Sequence, residues 1–62
     1  MENIASIFER LDAVFGSFKL DHADAQRGNK AAAARARKNV KAMIEHLKSY
    51  RTASVAESRQ KP

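Results

Sequence analysis

The chain contains no cysteine, so neither a disulfide nor a thiolate-held metal can staple it. Its single proline is the last residue, Pro62, and its two glycines are Gly16 and Gly28, so little along its length interrupts a helix. No apolar run approaches the roughly 20 residues that a membrane-spanning helix requires, and no membrane partner is expected. Glu2, Glu9 and Asp12 stand among the first apolar residues, and no basic leader or small-residue cleavage site accompanies them, which points to the cytoplasm. Catalytic sets are missing too. There is no glycine-rich phosphate loop, and His22 and His46 lack neighbouring nucleophiles or ligands. Asp21 and Asp24 flank His22, but no histidine, cysteine or glutamate follows it three or four residues on. Neither an enzyme nor a cofactor, metal or small-molecule substrate is expected.

Acids are scarce after residue 26. Residues 1–26 hold two basic residues against five acids, a balance of −3, whereas residues 27–62 hold ten against Glu45 and Glu57, a balance of +8. This polarised charge is the electrostatic footprint of a polyanion binder. A chain of 62 residues forms one domain at most, and domains this short bury only about 60% of their unfolded surface. Self-association would complete such a core.

What the chain does have is helical periodicity. Ile4, Ile7, Phe8, Leu11, Val14, Phe15 and Phe18 recur at three- and four-residue intervals and fall within an arc of about 120°. Gly16 lies on the opposite side. A second set, Ala32, Ala33, Ala36, Val40, Met43, Ile44, Leu47 and Tyr50, occupies a similar arc. Between them stands Gly28-Asn29: glycine suits the left-handed position after a helix, and asparagine caps the next one. The reading is all-α: helix about 3–27, turn 28–29, helix about 30–56, with residues 1–58 as one domain and 59–62 as a frayed basic tail. If the chain doubles back at Gly28, residues whose numbers add to about 57 oppose one another, large beside large far from the turn and small beside small near it. Two such helices cover only part of each other's apolar arc, so pairing of two hairpins into a homodimeric four-helix bundle is expected. A single unbroken helix keeps both arcs in phase and is the competing geometry, but Gly28 and Asn29 are poor residues for a helix interior.

On the far side of the second helix Lys30, Arg37, Lys41 and Lys48 lie within about 40° of one another, with Lys38 further round. Arg59 joins them if the helix reaches it. Glu45 is the only acid in that stretch. Such a stripe suits backbone phosphates, with arginine as a bidentate fork and lysine as a point charge. The turn adds Arg27, Gly28, Asn29 and Lys30 at a helix N-terminus, where an anion would relieve the conflict between the cations and the helix dipole.

The segment Gly28-Asn29-Lys30-Ala31-Ala32, followed by Arg35-Ala36-Arg37 and by Tyr50-Arg51 with Ser54 three residues later, closely resembles the bacterial linker-histone-like family of small nucleoid proteins over roughly residues 26–58. The resemblance implies sequence-tolerant DNA binding and chromosome compaction, and it carries Gly28, Asn29, Lys30, Arg35, Arg37 and Arg51 into that role. Some family members continue into a long Lys/Ala/Pro-rich tail that this sequence lacks, so bridging by a dimer is expected in place of condensation by a polycation. The function expected is therefore largely sequence-independent binding of duplex DNA in the nucleoid through Arg27, Lys30, Arg35, Arg37, Lys38, Lys41, Lys48 and Arg51. The alternatives are a helical module whose basic face meets an acidic protein, or RNA bound through the same stripe.

Overall fold

A computed structural model describes residues 3–60, which form two α-helices, α1 over Ile4–Gln26 and α2 over Lys30–Gln60. Each helix starts on an asparagine. The Asn3 side chain accepts the Ser6 amide at 2.9 Å, and the Asn29 side chain accepts the Ala32 amide at 3.0 Å. Each such cap satisfies an amide that the helix itself leaves without a partner, and losing one costs about 1 kcal/mol.

The expected hairpin is the one formed. Gly28 takes φ 98°, in the left-handed region open to glycine. Its N–H donates to the Ala25 carbonyl at 3.0 Å, and the Asn29 N–H donates to the Asp24 carbonyl at 3.2 Å. This pair of bonds closes α1 and turns the chain straight into the next cap. The helices then run back to back as a rod of 51 × 15 × 14 Å.

Asp21 fixes the register near the turn. Its carboxylate accepts Arg35 Nε at 3.1 Å and Asn39 Nδ2 at 3.0 Å, and Ser17 Oγ lies 3.5 Å from the same Asn39 nitrogen. The Asp21 side chain is only 14% exposed, and a carboxylate so enclosed must keep its partners, which a slipped register would remove. At the open end a Glu57 carboxylate oxygen accepts the Ile4 N–H at 2.7 Å, placing negative charge on the positive end of α1. Partner numbers thus add to 56 or 60 near the turn and to 61 at the open end, close to the expected sum of about 57.

The second helix runs to Gln60, four residues beyond the expected end at 56. Glu57 explains this, because it ties the last turns of α2 to the start of α1, and Ala53, Ser54 and Ala56 are half-buried there. Lys61 and Pro62, the end of the expected frayed tail, lie outside the described residues. Only Ile7 and Ala32 are fully enclosed, at 2% and 0% exposure, among the described residues. Ile4, Leu11, Val14, Phe18, Ala36, Met43 and Tyr50 are half-buried along the same seam.

Three substitutions test this account in thermal melts at one fixed protein concentration. A Cβ at Gly16 meets nothing within 4 Å, so Gly16→Ala should stabilise by up to about 1 kcal/mol through helix propensity. Gly28→Ala forces an L side chain into the left-handed region and should cost about 1–2 kcal/mol. Asp21→Ala deprives Asn39 and Arg35 of their acceptor and should cost about 1–2 kcal/mol, or several degrees in Tm for a chain this short.

Candidate nucleic-acid interface

The buried line of α2 runs through Ala32, Ala36, Asn39, Met43, His46, Tyr50 and Ala53, at alternating three- and four-residue steps. Lys30, Arg37, Lys41 and Lys48 are centred about 170° from that line, so they point straight out from the hairpin. All four are exposed. From Lys30 to Lys48 the stripe spans about 27 Å of helix axis. Because α2 remains helical to Gln60, the exposed Arg59 continues it in line with Lys41. Lys38 and Arg51, also exposed, flank the stripe on its two sides. Ala31, Ala34 and Ala42 keep the surrounding surface low, leaving the long cationic side chains to stand clear of the rod.

The remaining basic residues are placed differently. Arg35 stands on the flank of the hairpin, about 140° round from the stripe, where Asp21 holds its Nε at 3.1 Å. Arg27 lies beyond the N-terminal end of α2 and pairs with Asp24 at 3.3 Å. At the turn, the Asn29 side chain already occupies the Ala32 amide that an anion would otherwise take, and Gly28 contributes its positive φ and no side chain. By contrast, among the described residues no ion pair engages Lys30, Arg37, Lys38, Lys41, Lys48 or Arg51. Opposed acids therefore compensate Arg27 and Arg35 and leave Lys30 and the middle of α2 uncompensated. That is the part able to attract a polyanion.

Of the apolar residues expected to form the core, Ile4, Ile7, Leu11, Val14, Phe18, Met43 and Tyr50 line the seam, whereas Phe8, Phe15, Val40, Ile44 and Leu47 are exposed. Along the edge of α1, Phe15 stacks on Phe18 at 6.2 Å and Phe18 on His22 at 6.1 Å, with Lys19 Nζ 5.1 Å above the Phe15 ring. Three side chains with defined structural roles, Asp21, Asn39 and Glu57, escape a reading by hydrophobic period because that reading passes over polar residues. All three do fall on the seam's three-four spacing, which is the signal that could have found them. Among the described residues no helix is long and apolar enough to cross a membrane.

No curated protein and no solved structure matches the chain. A family model does, over residues 5–60, which takes in both helices, the turn and every cation of the stripe. The chain belongs to the family described as histone H1-like protein Hc1.

Proposed function

We propose that this protein is a non-enzymatic nucleoid component that binds duplex DNA with little regard to sequence and, as a homodimer, bridges or compacts it. The observation that carries the reading is the row of exposed cations that make no ion pair among the described residues, Lys30, Arg37, Lys41 and Lys48, set opposite the helix–helix seam. Membership of a histone-like family supports the same reading. Arg37 and Arg51 would grip phosphate oxygens in pairs, while Lys38, Lys41 and Lys48 would act as point charges along the backbone. Lys30, with the Gly28-Asn29 turn, would join at the edge of the footprint, and Arg35 and Arg27 would follow once their acids, Asp21 and Asp24, exchange partners. Phosphate contacts position a protein without reading bases, so the unit formed by residues 1–58 needs no base-reading side chain. The site of action is then the cytoplasmic nucleoid.

Titration of labelled duplexes against salt tests this. Neutralising about six phosphates should make log K fall with log salt at a slope near −5, equally for unrelated sequences. In the Lys41→Gln/Lys48→Gln double variant the slope should weaken by about 2 while helicity is kept. A slope near −1 would reject the proposal in favour of an acidic protein partner. Clear preference for duplex RNA in direct competition would move the same stripe to the other nucleic acid.

A further inference from the structure

The bonds joining Ser17 and Asp21 to Arg35 and Asn39 show which sides of the two helices coincide: these four residues form one polar flank of the hairpin. The other flank is then shared as well, and it carries Phe8 and Phe15 from α1 and Val40, Ile44 and Leu47 from α2. Their exposures are 56%, 45%, 39%, 46% and 52%. Scattered exposed apolar residues are ordinary, but five large ones share one side of this rod, bordered by Lys19 over the Phe15 ring and by Arg51, and such a gathering marks an interaction surface.

We infer that this flank is the contact between two copies of the chain, packed flank to flank as a closed four-helix bundle. The inference rests on the pairing that DNA bridging requires and assigns it a surface. Area is the first argument. A compact monomer of 6.9 kDa is expected to expose about 4,000 Å². The hairpin exposes 4988 Å², an excess of about 1,000 Å² over that expectation, close to the roughly 800 Å² per partner that a stable interface removes. Shape agrees, since the radius of gyration is 14.6 Å where a compact domain of this length has about 10.6 Å. Two helices are simply too thin to enclose a second layer of side chains. Stacking a second hairpin on the flank doubles the thickness.

Chemistry selects the occupant. The middle of the flank is aliphatic and aromatic, and a base stacked on Phe8 or Phe15 would leave Val40, Ile44 and Leu47 uncovered, so the flank as a whole fits an apolar protein surface better than a nucleic acid. An identical flank fits it in kind, and a two-fold pairing of like with like is self-limiting. The cationic stripe does not oppose this. Its centre lies about 80–100° round α2 from Val40 and Leu47, Arg37 and Arg51 stand beside Ile44 and Leu47 where their long side chains can reach out past the contact, and salt at physiological strength screens the repulsion between two chains of charge +5 beyond about 8 Å. Dimerisation and DNA binding should therefore respond to salt in opposite senses, the first strengthening and the second weakening.

Sedimentation equilibrium on the full chain, across a range of concentration and salt, tests the assignment. The mass should be twice 6.9 kDa, with the dimer holding more tightly as salt rises. Phe15→Gln and Leu47→Gln should each weaken dimerisation at least tenfold, while Leu20→Gln, at a 72% exposed position on the other side of α1, should leave it unchanged. Should either flank variant lose its helices, dilution of the unaltered chain monitored by NMR replaces it: signals of Phe8, Phe15, Val40 and Leu47 should move on dilution while those of Ser17 and Asn39 stay. A folded monomer at every concentration would overturn the inference. So would assembly beyond two chains, or a dimer indifferent to Phe15→Gln but broken by Leu20→Gln. A monomer that binds DNA tightly would refute this contact and leave the DNA reading standing, whereas a dimer with no salt-dependent DNA affinity would do the reverse.

Discussion

Everything in this hairpin depends on one antiparallel seam between two helices, and on how little that seam can enclose. Two facing helices bury a narrow line of side chains, and only Ile7 and Ala32 are wholly removed from water among the described residues. The seam is therefore supported at its ends by polar contacts. Near the turn Asp21 gathers Arg35 and Asn39, and at the open end Glu57 reaches the first amide of α1. Such bonds add modest net stability, but they are specific to one register, which a line of alanines and β-branched residues does not define by itself. The small residues near the turn, Ala25, Ala32 and Ala36, let the backbones approach, while Ile7, Leu11, Met43 and Tyr50 fill the wider part.

The architecture was legible because the period, the caps and the break all agree. Gly28-Asn29 is at once a left-handed stop and a new cap, and the structure uses both properties in consecutive residues. Less legible was the division of each apolar arc. An arc of about 120° is broader than a two-helix seam, and periodicity alone does not say which edge faces the partner helix. Phe18 and Phe15 illustrate this, since both sit on the same arc and stack on each other, yet one lines the seam and the other lies on the flank. The polar flank decides the matter, and it was hidden because a reading by hydrophobic period passes over Ser17, Asp21 and Asn39, although Asp21 and Asn39 fall on the seam's spacing. The length of α2 was misjudged for a related reason. Residues 57–60 are poor candidates for a helix end on composition, but Glu57 has a long-range partner that composition does not show.

The distribution of charge follows from the same geometry. The acids of α1 that lie near the turn hold Arg35 and Arg27, so they neutralise the basic residues closest to them. Further along α2 the outward cations stand away from those acids, with the thickness of the rod between them and the acidic helix. The field of the molecule is therefore concentrated on one side of α2, which is a matter of placement and not of total charge. The helix dipole modulates this along the axis. Arg59 in the last turn of α2 sits favourably, whereas Lys30 in the first turn does not, and a bound anion at that end would offset the conflict.

On α2, Val40 and Leu47 lie between the seam and the cationic stripe, roughly 70–100° round from each, while Ile44 stands about 40° from the stripe and Val55 falls within its arc. Under the proposed pairing this spacing would let one helix serve its own hairpin, a second hairpin and a polyanion. Were the apolar flank directly opposite the seam, pairing two hairpins would cover the cations. Were the cations spread around the whole helix, they would be drawn into the bundle and would lose solvation without gaining a partner. With the stripe centred to one side of the apolar residues, two hairpins stacked as proposed would keep Lys30, Lys41 and Lys48 on the outside, aimed at different stretches of the polyanion. The proposed bridging would thus be a consequence of angular spacing along a single alanine-rich helix.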